Sequence, residues 1–144
     1  MQELPKDIYE KVTALSEEGD ALVEAGDDAG AIAVWRAAFA LLPQPQDQWE
    51  AATWLLASIG EAQANMGDDE EALATFERAA KTEDGVSNPF VQIMLGALLF
   101  DLGRDDEATE PLLKAYMMEG DEIFEDFGLQ YLEHLQERGL IEES

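Results

Sequence analysis

The sequence predicts an all-α fold: a right-handed helical-repeat solenoid of three helix pairs, closed by a C-terminal capping helix. Three observations carry this. A skeleton of Gly19, Gly26, Ala31, Trp35 and Ala38 recurs with the same spacing as Gly60, Gly67, Ala72, Phe76 and Ala79. It recurs again as Gly96, Gly103, Ala108, Leu112 and Ala115. The apolar residues around each copy step by three and four, the period of a helix face. Phe124, Phe127, Gly128 and Tyr131 then repeat the spacing of Gln92, Leu95, Gly96 and Leu99, half a copy. Recurrence of one supersecondary unit with an atypical last piece is the mark of a repeat array, whose end must be covered.

One domain is expected over the 144 residues, with helix pairs at about 5–43, 47–82 and 88–119 and a capping helix at about 121–138. Pro5 suits the first turn of the opening helix, where a missing N–H costs nothing. Ile8, Val12, Leu15, Gly19 and Leu22 share one face of it. Gly26 ends that helix and Asp27 is placed to cap the next. Ala31, Val34, Trp35, Ala38 and Leu42 line the returning helix until Pro43 stops it.

The run Pro43-Gln44-Pro45-Gln46 is a rigid connector that lengthens the first repeat. Trp49, Ala52, Leu56, Ile59 and Gly60 come next along the following helix, and Gly67-Asp68 matches Gly26-Asp27 as turn and cap. Thr82 to Ser87 reads as a loop, with Asn88 as N-cap and Pro89 as first helical residue. Pro111 lies inside the last paired helix and predicts a local kink. The glycine-to-glycine periods are 41, 36 and 32 residues, so the irregularity falls in the loops.

Gly19, Gly60 and Gly96 predict the points of closest helix crossing, because helices about 8–10 Å apart leave no room for bulky side chains. Ala31, Ala72 and Ala108 are the residues expected opposite them.

Charge is the unusual property: 33 Asp and Glu against 8 Lys and Arg, a formal net of -25. Such a field repels nucleic-acid phosphates and anionic membranes and attracts basic proteins or peptides; acidity also serves solubility. Without cysteine there is no disulfide framework or thiolate chemistry. The opening Met-Gln-Glu-Leu-Pro lacks the layout of a secretory signal, and Arg36 interrupts the longest apolar run. The expected compartment is the cytoplasm, with no membrane span.

Catalysis finds no support in the pattern. His134 is the only histidine and is expected at the surface or near a helix end. Asp68-Asp69-Glu70-Glu71 and Asp105-Asp106-Glu107 sit at helix starts, where acids meet the macrodipole favourably. They lack the spacing of a calcium loop, and no phosphate loop or nucleophile elbow occurs. No enzyme, cofactor or metal is expected.

These paired helices, with small residues at the crossings and a proline after the first pair, resemble the tetratricopeptide repeat family. The resemblance covers about residues 12–138. Gln63 departs from it where a large apolar residue is usual, and Asp84 and Gly120 stand in place of closing prolines. The resemblance implies a concave groove lined by the first helix of each pair. Carried over, its exposed positions hold Ser16, Asp20, Val23 and Glu24, then Trp54, Glu61 and Asn65, then Phe90, Phe100 and Asp101, and Glu125 from the last helix. Ala57, Ile93 and Ala97 fall between them.

The family's chaperone-docking members clamp a C-terminal carboxylate with groove lysines and asparagines; Ser16, Asp20 and Glu61 at the matching places would repel one. A lining that is apolar at its centre and acidic around it suits a basic protein or peptide instead.

The chain also resembles small acidic repeat proteins encoded beside bacterial polymorphic toxins. Leu4-Pro5-Lys6-Asp7-Ile8-Tyr9 and Glu122-Ile123-Phe124-Glu125 carry that likeness, which implies an immunity protein neutralising a basic toxin. Two alternatives stay open. One is a self-associating scaffold using Tyr131, Leu135 and Leu140, although the charge favours a monomer when free. The other is an acidic mimic of nucleic acid.

Overall fold

Helix α1 (Lys6–Glu24) starts immediately after Pro5, whose carbonyl accepts the first ladder bond from the Tyr9 N–H at 2.9 Å. Pro5 is thus the cap residue, one place before the expected first turn. In the computed structural model, which describes residues 3–142, seven more helices succeed it. They are α2 (Asp28–Ala40), α3 (Glu50–Asn65), α4 (Asp69–Ala80), α5 (Pro89–Asp101), α6 (Asp105–Glu119), α7 (Glu122–Phe127) and α8 (Leu129–Glu137). A short 3-10 turn (Gln46–Gln48) precedes α3, and no strand occurs among the described residues. The Met1-Gln2 opening lies outside them.

The chain divides into two compact units, Met1–Gly85 and Val86–Ser144. In the first, α1 packs on α2, α2 on α3 and α3 on α4; in the second, α5 packs on α6, with α7 and α8 against α6. The fold is all-helical and built of helix pairs, as the spacing predicts.

The turn inside each pair is the same object three times. Gly26, Gly67 and Gly103 take φ of 84°, 83° and 81°. That left-handed conformation is nearly free only for glycine. At the first turn the Gly26 N–H bonds the Val23 carbonyl at 2.9 Å and the Asp27 N–H bonds the Leu22 carbonyl at 2.8 Å. Matching pairs of bonds close α3 and α5, so the last carbonyls of each helix are satisfied. The caps after these turns are not the same. Asp27 accepts the Gly30 N–H at 2.9 Å, whereas Asp68 makes no side-chain cap bond. A Cβ at residue 30 would collide with the Asp27 carboxylate, and the position matching Gly30 holds Glu71.

At the crossings the glycines touch their partner helices, and the nearest atoms to each missing Cβ belong to the large residue four places beyond each alanine. A Cβ on Gly60 would lie 2.6 Å from the Phe76 ring, and one on Gly96 2.5 Å from Leu112. One on Gly19 would overlap the Trp35 indole. The large residue four places beyond each alanine lies over the missing side chain.

Two further expectations are corrected. Trp49 is not on a helix: it stands one residue before α3, buried, and its Nε1–H donates to the Pro43 carbonyl at 2.8 Å, tying down the connector. The capping helix is two helices. Gly128, expected inside it as a counterpart of Gly96, breaks it at φ 142°, ψ 132°. Its N–H closes α7 on the Phe124 carbonyl at 2.8 Å. Pro111, by contrast, sits buried within α6, which continues through it.

Adding a branched side chain at a crossing should be costly. Gly60→Leu is expected to lower unfolding free energy by about 2 kcal/mol or more, from overpacking against Phe76. Gly128→Ala should cost about 1–3 kcal/mol of backbone strain. Urea midpoints at constant m-value check both; an unchanged midpoint for Gly60→Leu would mean that Phe76 yields freely.

Candidate interaction surface

The three tryptophans separate by what holds them. Trp35 is buried, and its Nε1–H donates to the Ser16 carbonyl at 3.3 Å, one turn before Gly19. Trp49 is fixed by Pro43. Trp54, on α3, is 36% exposed and makes no hydrogen bond among the described residues. A buried indole N–H normally finds an acceptor; one facing water does not need one.

Within residues 1–85, Asp20 and Glu24 on α1 and Glu61 and Asn65 on α3 are exposed, while Ser16 and Val23 are half-buried. Ala57, three residues along α3 from Trp54, is buried. These side chains meet no basic residue in an ion pair among the described residues. Exposed carboxylates without a basic partner leave a negative potential around each of these helix faces.

The departure at Gln63 has a local cause. Buried, it accepts the Thr75 hydroxyl on Oε1 at 2.6 Å, and so replaces an apolar contact between α3 and α4 with a polar one. Thr82 is satisfied likewise: it donates to the Ala79 carbonyl at 2.7 Å and accepts from the Thr53 hydroxyl at 2.6 Å and the Gly85 N–H at 3.0 Å. No buried side-chain polar atom is left unpartnered among the described residues.

In residues 86–144 the corresponding face of α5 is engaged by the chain's own end. Phe90 lies 6.0 Å from Phe127, ring centre to ring centre. Phe100 meets Tyr131 edge-on at 5.5 Å and His134 at 5.3 Å. Asp101 accepts the Tyr131 hydroxyl on both carboxylate oxygens at 2.9 Å. Ile93 and Ala97 are buried between them, and Glu125 on α7 remains exposed.

His134 is therefore not a surface residue. It is 5% exposed, and its Nε2 lies 2.8 Å from the Thr109 hydroxyl, which itself donates to the Asp105 carbonyl. The strip expected for self-association is corrected for the same reason: Tyr131 and Leu135 are core residues of this unit, and only Leu140 is exposed. A period of three and four shows which residues share a face but not what later covers it.

Two tryptophan truncations should separate scaffold from surface. Trp35→Ala is expected to cost about 3–5 kcal/mol by emptying the space over Gly19. Trp54→Ala should cost about 1 kcal/mol or less. Thermal and urea unfolding measure the difference, and equal losses would place Trp54 in the core.

No protein-family profile matches the sequence, and no curated protein matches it. The fold is similar to that of the Yersinia enterocolitica type III secretion chaperone SycD, solved in complex with a peptide of the translocator YopD. The TM-score is 0.69 at 17% identity, over 99% of this chain and 100% of that one. At that identity the likeness is one of fold.

Proposed function

We propose that the chain is a non-enzymatic interaction module that binds a basic, partly apolar protein segment on the α1 and α3 surface of residues 1–85. The observation that carries this is Trp54. It is the one tryptophan free of structural bonds, on a helix that also displays Glu61, in the unit where α1 displays Asp20 and Glu24. An exposed aromatic anchor in a unit that also exposes unpaired acids has the chemistry of a hot spot with electrostatic selection: the ring supplies affinity, the carboxylates supply encounter rate and partner choice. Lysine or arginine beside a large apolar residue is the matching motif.

The similarity in fold to a chaperone solved with a bound peptide supports a peptide or protein partner. Neutralisation of a basic bacterial toxin is the specific form of this reading favoured by a net charge of -25. It gives the acidity a purpose beyond solubility. The free chain is then a monomer in the cytoplasm, kept apart from its copies by charge.

Affinity capture from cells of the source organism, followed by calorimetry on the recovered partner, tests the reading. Trp54→Ala and Asp20→Lys should each weaken binding by roughly 30-fold, a loss of about 2 kcal/mol. Association should slow as salt rises through the range where the Debye length falls below about 10 Å. Unchanged affinity in both variants would remove α1 and α3 from the interface. Recovery of nothing but the chain itself would remove the partner.

A further inference from the structure

A second feature of residues 1–85 has the opposite sign. A cleft of about 470 Å³ opens between α2 and α4, floored by Leu56 and Ile59 of α3. Arg36 and Phe39 of α2, Arg78 of α4 and Gln46 of the connector wall it. No carboxylate lines it, although acids outnumber bases 33 to 8 along the chain. Two of eight basic residues converge on one depression, where composition alone would put acids.

The two guanidinium groups are not equivalent. Arg78 is held in place: it lies over the Phe39 ring at 4.6 Å, and its Nη2 meets Asp47 at 3.3 Å outside the lining. One long bond from one nitrogen leaves the rest of its donor fork open. Arg36 makes no ion pair among the described residues. Gln46 donates to the Phe39 carbonyl at 3.0 Å, which fixes the rim.

We infer that this α2–α4 cleft is a binding site for a carboxylate carried on an apolar body. A guanidinium matches a carboxylate with two parallel bonds, and Leu56, Ile59 and Phe39 match the apolar remainder. The volume lies within the range of small-ligand pockets, about 300–1,000 Å³. The whole-chain field selects among anions: its repulsion grows with ligand charge, so a single carboxylate is admitted where a phosphate polymer is refused. This site shares no residue with the α1 and α3 surface, and stands or falls separately from it.

The test uses the full chain with three probes: 3-phenylpropionate, the peptide acetyl-Ala-Leu-Phe with a free C-terminus, and the same peptide as its C-terminal amide. Methyl and side-chain NMR titration is expected to show saturable shifts at Leu56, Ile59 and Arg36. The acid should bind about tenfold or more tightly than the amide, the worth of a charge-assisted bond. Arg36→Gln, with unchanged helicity and melting, should remove that preference; Arg78→Lys should reduce it while keeping the charge. Lys114→Gln, on α6, should change nothing. A peptide acid that outbinds phenylpropionate identifies a protein C-terminus as the source, and parity identifies a small organic acid. Equal binding of acid and amide, shifts mapping elsewhere, or an Arg36→Gln variant with intact preference would each overturn the site.

Discussion

The structure depends on one contact made three times: a large side chain lying over a helix position that has no side chain. Trp35 over Gly19, Phe76 over Gly60 and Leu112 over Gly96 set where each pair of helices crosses. Glycine inside a helix costs about 1 kcal/mol against alanine, so the sequence keeps it only where a Cβ would be worse. The overlap a Cβ would make shows that it would be. Trp35 adds a bond to the Ser16 carbonyl, fixing the indole along α1 as well as across it. Phe76 and Leu112 act through packing over their glycines, both fully buried.

With the crossing face of each first helix committed to its partner, the remaining faces decide function, and the two units treat them differently. In residues 1–85, Trp54 and the carboxylates of α1 and α3 are left to solvent. In residues 86–144, α7 and α8 supply Phe127, Tyr131 and His134 to the rings of α5. The break at Gly128 makes this possible, since it lets six residues of α7 and nine of α8 take separate directions. Tyr131 then commits its hydroxyl to Asp101. An acid that would otherwise steer a partner is engaged within its own unit.

The same division explains how far the sequence could be read. Spacing reveals helices and turns because both are local: the glycine turns and the Asn88 cap arise from residues within a few places of one another. Spacing could not distinguish Gly128 from Gly96, because both satisfy the same three-one-three step and only φ tells an interior position from a break. Nor could it show that Trp49 anchors a connector, or that His134 faces Thr109 from 25 residues away. The arginine cleft left no trace at all. Arg36 and Arg78 belong to different repeats, and only the stacking of α2, α3 and α4 brings them to one depression. The exposure of the expected groove positions on α5 could not be read either, since it depends on how the helices after α5 pack.

Charge placement obeys a division of its own. Lys6, Arg78, Arg104, Lys114 and Arg138 each stand beside a carboxylate, in pairs open to solvent on both sides. Exposed pairs of this kind contribute little to stability, and the unpaired acids subtract from it by mutual repulsion. The acidity is therefore not what holds the helices together; glycine-to-side-chain contacts and apolar burial do that against it. Against that repulsion, Arg36 of α2 and Arg78 of α4 come to one cleft whose lining holds no carboxylate, although α4 itself carries Asp69, Glu70, Glu71 and Glu77. Opposite charges interspersed on a surface relieve each other, and the cleft lining lacks that relief. The proposed surface for cations and the proposed cleft for a lone carboxylate both draw on this placement of charge within residues 1–85.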